Sequence, residues 1–419
     1  MRVIVIGGGI GGLATALALH AAGIGAEVFE AAAEVRPLGV GINLQPHAVR
    51  ELTELGLGDR LAATGVATRE LVYANRFGQV IWREDRGLAA GYRWPQVSVH
   101  RGRLQMLLWE AARERLGAAR LHTGRRLAGF AQDADGVAAR FADGSTARGD
   151  LLVAADGIHS AVRAHFAPEE GPPKWSGAVL WRATSEAPPF LTGASMVQAG
   201  HRDQKFVVYP IAELPGGRRL TNWIAELRFD PGQAWNREDW HRPGRLEDVL
   251  PAFADWEFGW LDVPGLMRRA PALYEFPMVD RDPLTRWTEG RVTLLGDAAH
   301  PMYPIGSNGA SQAILDARRL AWHLAALAPR WADALAAYEA DRRPATAALV
   351  AANRGQGPDL VLDLVHGRAP GGFDRLEAVV SRAELEETAS GYKRLAGMDP
   401  ATLNARESWS VAAPRPSAG

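Results

Sequence analysis

The pattern of apolar and polar positions at the start of the chain predicts a strand, a turn and a helix. Residues 2–6 are mostly apolar and predict a buried strand, and a cluster of glycines follows at 7–12. Residues 13–22 are strong helix formers that end at Gly23, and residues 26–30 form a second short strand that ends on an acid. This βαβ unit predicts a parallel sheet.

The pattern changes in the middle of the chain and then returns. Residues 104–116 predict an amphipathic helix, and residues 130–146 predict hairpin strands. From about residue 174 to 283, runs rich in β-branched and aromatic residues alternate with Pro and Gly, which is typical of a mostly antiparallel sheet. A buried strand at 291–295 and a long helix at 310–327 then resume the first pattern.

These changes divide the chain into an interrupted domain, an insertion and a C-terminal part. The predicted fold class is α/β (α+β overall), a Rossmann-like domain with an inserted, mostly antiparallel β-sheet domain. A Trp-rich segment at 246–260 predicts a helix within the insertion. The predicted ranges are 1–72, 97–173 and 284–365 for the Rossmann-like domain, 73–96 and 174–283 for the sheet domain, 366–405 for a C-terminal helical segment and 406–419 for a disordered tail.

Composition narrows the possible chemistry. The 419 residues are 47% hydrophobic and 23% charged, which suits a globular protein with a sizeable core. The 47 Lys and Arg balance the 48 Asp and Glu, so the charge predicts neither nucleic acid nor membrane lipid as a partner. The absence of Cys excludes disulfides, thiolate nucleophiles and thiolate metal sites. The 11 His lack ligand spacing, and no metal site is expected. Redox chemistry would therefore need a bound organic cofactor, or a metal held by other ligands.

The N-terminus also has features of a signal peptide, with Arg2, an apolar stretch and an Ala-rich site at 31–33. The glycines at 7–12 would cost an inserting helix about 1 kcal/mol each, so a strand and turn are the preferred interpretation. No other uncharged apolar run reaches membrane-spanning length. We therefore expect a cytoplasmic protein without membrane insertion.

The motif Gly7-x-Gly9-x-x-Gly12 between strand and helix favours dinucleotide binding. Gly7 allows the tight turn, Gly9 lets the backbone approach a pyrophosphate, and Gly12 lets helix and strand pack closely. The helix N-terminus supplies N–H donors to the phosphates. Glu30, at the end of the second strand, would accept hydrogen bonds from the adenosine ribose. The motif does not separate NAD from FAD.

Two more motifs directly follow apolar strands. Residues 156–163 read Asp-Gly-Ile-His-Ser-Ala-Val-Arg after the strand at 151–155, and residues 296–301 read Gly-Asp-Ala-Ala-His-Pro after the strand at 291–295. Each motif places a carboxylate at the carboxyl end of a parallel strand, where open α/β sheets bind ligands. Seen singly, the first motif would be interpreted as a turn and the second as a helix start.

In this order and spacing, the three motifs resemble the class A flavoprotein monooxygenases, which are single-component aromatic hydroxylases. The resemblance extends from residue 2 to about 354, and further stretches at 35–43, 245–251, 277–283 and 302–312 resemble the 5-methylphenazine-1-carboxylate monooxygenases of phenazine biosynthesis. It implies non-covalent FAD, NADH or NADPH as co-substrate, and O2. A flavin C4a-hydroperoxide would hydroxylate an aromatic or phenazine-like substrate, with or without decarboxylation, in a monomer or homodimer.

The resemblance also implies FAD contacts. Glu30 would hold the ribose, Arg101 would reach the phosphate or ribityl region, and Leu127 would lie against the adenine. Asp156 would serve the motif that touches both FAD and the nicotinamide cofactor, and Asp297 would bind the ribityl chain. No protein side chain is assigned as catalytic, because the chemistry is centred on the flavin.

Further residues would lie around the flavin ring. They are Val40, Gly41, Gly306, Asn308, Gly309 and Ala310. The last four lead into a helix N-terminus that would be aimed at flavin N1 and C2=O, where it stabilises negative charge by roughly 0.3–2 kcal/mol. Many relatives have Gln where Ser307 stands and carry the next Gly at once, whereas Asn308 intervenes here. The contact of this loop with the ring is therefore expected to differ.

Candidate substrate residues lie on strands or loops that would face the flavin. They are Arg182, Tyr209, Tyr303, Trp94, Trp181 and His201. A carboxylate or phenolate would dock on Arg182, and the two Trp would stack on a planar polycycle. In the alternative interpretation, Arg182 pairs with a structural acid and Tyr209 belongs to the core. His300 is expected to cap the flavin loop rather than act as an acid or base.

Other functions of the same fold stay open. A flavin-dependent halogenase is disfavoured because a Trp-x-Trp-x-Ile-Pro stretch is missing and the three Lys have no motif context. A disulfide reductase is excluded by the absence of Cys, but other FAD oxidoreductases of this fold stay open. A non-catalytic binding protein is disfavoured because Glu30, Asp156 and Asp297 are all present.

Overall fold

The computed structural model describes residues 1–230, 242–395 and 399–411. The strands in chain order are β1 (Arg2–Ile6), β2 (Gly25–Phe29), β3 (Gly41–Leu44), β4 (Val66–Thr68), β5 (Glu70–Ala74), β6 (Val80–Asp85), β7 (Gln96–His100), β8 (Leu121–His122), β9 (Leu127–Gln132), β10 (Val137–Phe141), β11 (Thr146–Gly149), β12 (Leu151–Ala154), β13 (Lys174–Ala187), β14 (Ser195–His201), β15 (Gln204–Glu213), β16 (Arg219–Arg228), β17 (Glu257–Phe258), β18 (Leu261–Asp262), β19 (Leu273–Asp280), β20 (Thr288–Glu289) and β21 (Val292–Leu294). The helices are α1 (Ile10–Ala21), α2 (Pro46–Glu54), α3 (Gly58–Ala62), α4 (Arg101–Leu116), α5 (Ala161–Phe166), α6 (Leu246–Val249), α7 (Val263–Arg268), α8 (Gly309–Ala326), α9 (Trp331–Arg354), α10 (Leu360–Arg368), α11 (Arg382–Leu395) and α12 (Pro400–Ala405).

The central sheet of the Rossmann-like domain has six strands in the order β20-β21-β12-β1-β2-β8. All neighbouring pairs are parallel except β20–β21. Helices α1, α4 and α8 pack beside it, which explains why residues 3–6 of β1 are all apolar and buried. The predicted βαβ unit and the strand at 291–295 are therefore confirmed.

The inserted domain is built on a seven-stranded sheet in the order β19-β13-β16-β15-β14-β5-β6. Neighbouring strands within this sheet are antiparallel, except for β14 and β5, which are parallel. This confirms the prediction of a mostly antiparallel sheet. One face carries an aromatic core around Trp181, Phe206 and Trp223. The other face contacts the C-terminal helices α10 and α11 and the start of β3.

Two predictions within these regions have different outcomes. Strands β9, β10 and β11 form their own antiparallel sheet, as the hairpin pattern predicts. The helix predicted at 246–260 is wrong beyond its first turns, because the α-helix ends at Val249 and a 3-10 turn covers Leu250–Phe253. Pro251 lacks the N–H that would continue the helix, and the short hairpin of β17 and β18 follows.

The C-terminal part packs on the Rossmann-like domain. The Arg406 guanidinium pairs with buried Glu51 and lies over the ring of Trp409, and Arg50 Nη2 donates to the Arg406 carbonyl at 2.7 Å. The predicted disorder is therefore wrong for residues 406–411, because a buried carboxylate on α2 holds them. Residues 412–419 lie outside the described residues. Within the described ranges, no helix combines the length and apolarity needed to cross a bilayer.

A buried ion cluster attaches the C-terminal part to the inserted sheet. Lys205 Nζ on β15 lies 2.8 Å from Asp359 Oδ2, just before α10, and 3.1 Å from Glu226 Oε2 on β16. All three residues are buried. Burial raises the pKa of Glu226, and Lys205 opposes that shift.

We expect Lys205→Met to lower the free energy of unfolding at pH 7.5 by about 3–5 kcal/mol, because two buried carboxylates lose their cation. The deficit should shrink at pH 5.5, since Glu226 has a raised pKa and takes up a proton in the folded protein as the pH falls. Urea unfolding at both pH values measures this difference, with exposed Lys174→Met as the control. An equal loss of unfolding free energy at both pH values would contradict the role of Lys205 as the cation that neutralises Glu226.

Candidate active site

The three sequence motifs meet at the carboxyl edge of the central sheet. Gly7 follows β1, Glu30 follows β2, Asp156 follows β12 by two residues, and Asp297 follows β21 by three. Because these strands are parallel neighbours, their ends lie side by side. One cleft therefore receives a glycine turn and three carboxylates.

The glycine turn is required by close backbone approach. Gly7 has a φ of 105°, and a Cβ there would lie 2.3 Å from the Ala155 carbonyl oxygen. A Cβ at Gly12 would lie 1.9 Å from the Gly7 carbonyl oxygen. A Cβ at Gly9, in contrast, would meet no atom within 4 Å. The turn thus leaves open space in front of the N-terminus of α1.

Glu30 supports this turn from the second strand. Its Oε2 accepts a hydrogen bond from the Gly8 N–H at 2.6 Å, and its Oε1 accepts one from the Ala32 N–H at 2.7 Å. The Arg125 N–H donates to the Glu30 carbonyl at 2.8 Å, which brings the start of β9, and with it Leu127, to this end of the cleft. Glu30 and Leu127 therefore lie at the same end, as the expected ribose and adenine contacts require.

Two carboxylates farther along the edge have unused hydrogen-bonding capacity. Asp156 Oδ2 accepts from the Ala161 N–H at 3.0 Å, but its Oδ1 is buried and has no partner in the described part of the chain. The Asp297 side chain is exposed to solvent, but it lies inside the cleft, where the surrounding protein atoms reduce its hydration. Burial raises the pKa of both carboxyls, and the charge of Arg101 opposes the shift at Asp297. Both sites favour a ligand that donates hydrogen bonds.

Helix N-termini point to anionic or acceptor groups at this cleft. Neither α1 nor α8 has a side-chain cap on its first N–H groups. A Cβ at Gly309, the first residue of α8, would lie 3.8 Å from Asp297 Oδ1, so this helix begins beside the third motif. Free N–H groups at two helix ends suit a pyrophosphate and an anionic ring.

The turn before α8 has an unusual backbone. Gly306 and Ser307 have φ angles of 72° and 54°, and left-handed backbone is uncommon for Ser. Asn308 is fully buried and Ala310 is half-buried on the first turn of the helix. We call residues 305–309 the flavin loop.

The inserted sheet holds the strand opposite this loop through the backbone N–H and C=O of one residue, Gly41. The Gly41 N–H donates to Asn222 Oδ1 at 2.7 Å. The Gly41 carbonyl accepts from Arg182 Nη2 at 2.8 Å and from the Tyr209 hydroxyl at 2.9 Å. A Cβ on Gly41 would lie 2.6 Å from Asn222, so only glycine fits. We call Arg182, Tyr209 and Asn222 the Gly41 clamp.

Comparison with known proteins identifies the family. The family model described as an FAD binding domain matches residues 1–353. A phenazine 1,6-dicarboxylic acid hydroxylase of Lysobacter antibioticus is 51% identical over 363 residues, covering 84% of this chain and 89% of that protein. The chain belongs to the class A flavoprotein monooxygenases. An aurachin C monooxygenase/isomerase of Stigmatella aurantiaca is 34% identical, covering 82% of this chain and 85% of the relative.

A solved structure supports the same assignment. HpxO of Klebsiella pneumoniae, in complex with FAD and uric acid, is 29% identical with a TM-score of 0.74, over 96% of each chain. The monooxygenase is thus an FAD-dependent aromatic hydroxylase that consumes NAD(P)H and O2. The residues present fit FAD, because the glycine turn is open, α1 and α8 lack side-chain caps, and one Asp156 oxygen has no partner among the described residues.

The monooxygenase brings three of the six substrate candidates to the sheet face beside Gly41. Arg182 and Tyr209 belong to the Gly41 clamp, and the Arg182 guanidinium lies 5.8 Å from the ring centroid of Phe276. Tyr303 is buried in an apolar cluster with Leu180 and Met278 on the same face. Arg182 is not paired with a structural acid within the described ranges, contrary to the first part of the alternative interpretation. Tyr209 is buried in an apolar cluster with Val207 and Ile211, as the second part of that interpretation expects.

The other three candidates lie elsewhere. Successive side chains on a strand point to opposite faces, so Trp181 lies in the aromatic core behind the sheet. The rings of His201 and His366 stack with their centroids 3.8 Å apart. In the sheet, His201 is opposite Gln204, which precedes Tyr209 by five residues on β15, so His201 lies about 17 Å along the strand from Tyr209. Trp94 packs under Arg50, 4.9 Å from its guanidinium carbon. The structure does not bring these three to the cleft.

A cleft beside the flavin loop contains residues that sequence reasoning missed. It lies between Ser307, Met196 and Tyr392. Gln45 and Gln96 line it, and each has a buried Oε1 without a partner among the described residues. Such atoms are normally satisfied by water or ligand. No motif marks isolated amides, and the one available signal was that Gln45 lies four residues after Gly41, which the sequence predicts to face the flavin.

Proposed function

We propose that the monooxygenase hydroxylates a planar aromatic carboxylate of phenazine type, with or without loss of the carboxylate. The observation that carries the proposal is Arg182, a desolvated guanidinium without a carboxylate partner among the described residues. Its Nε also has no partner there. A desolvated cation of this kind is stabilised by a substrate carboxylate, which binds the guanidinium with charge-assisted hydrogen bonds.

The apolar wall next to Arg182 supports an aromatic ring. Leu180, Phe276, Met278 and Tyr303 lie on the same face of the inserted sheet. Ring stacking on this wall would place one edge of the substrate at Arg182 and would exclude water from the reacting atoms. The relative at 51% identity acts on phenazine 1,6-dicarboxylic acid, a planar tricyclic with two such groups.

The cofactor contacts expected from the sequence are part of the proposal. Bound FAD supplies the redox chemistry, with electrons from NADH or NADPH and oxygen from O2. Glu30 would hold the ribose, Arg101 would bind the phosphate or ribityl region, and Asp156 and Asp297 would accept hydrogen bonds from FAD. The Gly41 clamp would fix the backbone that lies along the ring. We also propose the domain ranges up to residue 405, with residues 70–72 moved to the sheet domain because β5 belongs to the seven-stranded sheet. A cytoplasmic location and a monomer or homodimer complete the proposal.

The test is substrate-stimulated NAD(P)H oxidation with product masses. Phenazine-1-carboxylate, phenazine-1,6-dicarboxylate, their amides and simple benzoates form the panel. A product heavier by 16 mass units shows hydroxylation, and one lighter by 28 shows loss of CO2 with gain of oxygen. Stimulation by the amides but not by the acids would overturn the proposal.

A further inference from the structure

The side chain of Tyr392 on the C-terminal helix α11 contacts the flavin loop. A Cβ on Gly306 would lie 2.3 Å from the Tyr392 hydroxyl, and a Cβ on Gly357 would lie 3.2 Å from its ring. Tyr392 is buried. The ring therefore fills the space that these two glycines leave, and the left-handed turn at Gly306 is built around it.

The hydroxyl of Tyr392 joins three segments of the chain. It accepts a hydrogen bond from Asn308 Nδ2 at 3.1 Å and donates one to Asn353 Oδ1 at 2.9 Å. Asn353 Nδ2 in turn donates to the Tyr303 carbonyl at 2.9 Å. Asn308 is the residue that departs from the pattern of many relatives, and the structure shows that its side chain faces the C-terminal helix.

The polar contacts continue behind the flavin loop. Gln312 Nε2 lies 3.4 Å from Asn308 Oδ1, and Arg342 Nη2 donates to Gln312 Oε1 at 2.5 Å. Arg342 Nε also donates to Asp316 Oδ1 at 2.7 Å. The other oxygen of Asp316 accepts from the Gly296 N–H at 3.1 Å and lies 2.5 Å from His300 Nε2. One buried network thus connects Tyr392 with the third motif.

We propose that Tyr392 is a positioning residue that, through Asn308, fixes the direction in which the N-terminus of α8 meets the flavin. The proposal rests on the placement of FAD given above. The flavin loop has a backbone that Ser307 alone would not favour, so it needs an external support. Tyr392 supplies that support from a segment outside residues 1–353, the part that the family model matches.

The consequence is electrostatic. Reduced flavin carries a negative charge that the α8 N-terminus stabilises, whereas oxidised flavin does not. If the flavin loop lost its hydrogen bond to Tyr392, the enzyme's affinity for reduced FAD would therefore fall more than its affinity for oxidised FAD. This selective loss distinguishes a positioning role from general support of the fold.

The experiment uses the FAD-loaded enzyme and Tyr392→Phe, which keeps the ring over Gly306 and removes the hydroxyl. We expect the affinity for reduced FAD to fall about tenfold relative to oxidised FAD, which is a negative shift of about 30 mV in the two-electron midpoint potential. Dye equilibration measures the potential, and fluorescence titration measures the binding of oxidised FAD.

Two further variants keep the test sharp. Leu385→Ala loosens the same helix without touching the flavin loop, so it should lower the melting temperature and leave the potential unchanged. Asn308→Ser should shift the potential in the same direction as Tyr392→Phe, and the double variant should shift it by less than the sum of the two, because both remove the hydrogen bond between Asn308 and Tyr392. The proposal would be overturned if neither single variant changed the midpoint potential, or if the shift in the double variant equalled the sum of the two single shifts. If instead Asp297→Ala left FAD binding unchanged, the placement of FAD would be wrong.

Discussion

Arg182→Met is expected to reduce kcat/KM for a phenazine carboxylate by about 10²–10³-fold, because truncating one partner of a buried charge pair costs about 2–5 kcal/mol. FAD binding should change little, because Tyr209 and Asn222 still hold the Gly41 peptide. Loss of the single bond to the Gly41 carbonyl costs about 1 kcal/mol. Steady-state NAD(P)H oxidation over a range of substrate concentrations measures the effect.

The matching amide of the substrate provides the internal control. The wild-type enzyme should process the amide poorly, and Arg182→Met should lose little further activity with it, since no carboxylate is left to bind. Arg218→Met, at an exposed position in the turn just before β16, should stay within about twofold of wild type. Equal losses on the acid and the amide would assign Arg182 a structural role in the Gly41 clamp instead.

Arg163→Met is expected to lower the free energy of unfolding by about 3–5 kcal/mol, because it leaves buried groups without their cation. Arg163 lies at the end of the second motif and is 1% exposed. Its Nη1 donates to the carbonyls of Ala298 and Ala299 in the third motif, at 3.2 and 2.8 Å, and its Nε donates to Glu170 at 2.8 Å. FAD affinity should fall as well, since the loop that carries Asp297 loses this support.

Chemical denaturation of the protein without FAD measures the free energy of unfolding alone. Titration of the folded protein with FAD then measures the cofactor affinity separately. Arg148→Met serves as the control, because Arg148 is 61% exposed and pairs with exposed Asp133. Its loss should cost less than about 1 kcal/mol. If both variants unfolded at the same denaturant concentration, Arg163 would not be the link that joins the two motifs.

Local patterns in the sequence predict the elements that hold the cofactor. The strands, the glycine turn and the acids at the strand ends are encoded over a few residues each, so periodicity and turn chemistry are sufficient to find them. The parallel order then places Glu30, Asp156 and Asp297 at one edge. The start of α8 is equally local, since Gly309 is both the last residue of the flavin loop and the first residue of the helix.

The substrate side is less predictable because it depends on contacts between distant residues. Trp181 and Arg182 are neighbours on β13, and only strand alternation separates the core side chain from the one that meets Gly41. The sequence contains no signal for the pairing of Asn308 with Tyr392, which are 84 residues apart. His201 has a suitable side chain, but the register of β14 and β15 places it away from the clamp.

The Gly41 clamp has a consequence for the exchange of domains between relatives. Its three side chains belong to the inserted sheet, whereas the backbone they hold belongs to β3, in a separate three-stranded sheet. A chimaera that took the sheet of a relative with different residues at 182, 209 or 222 would leave the Gly41 peptide without its partners. Transfer of substrate preference by grafting should therefore succeed only when β3 and its preceding residues move together with β13, β15 and β16.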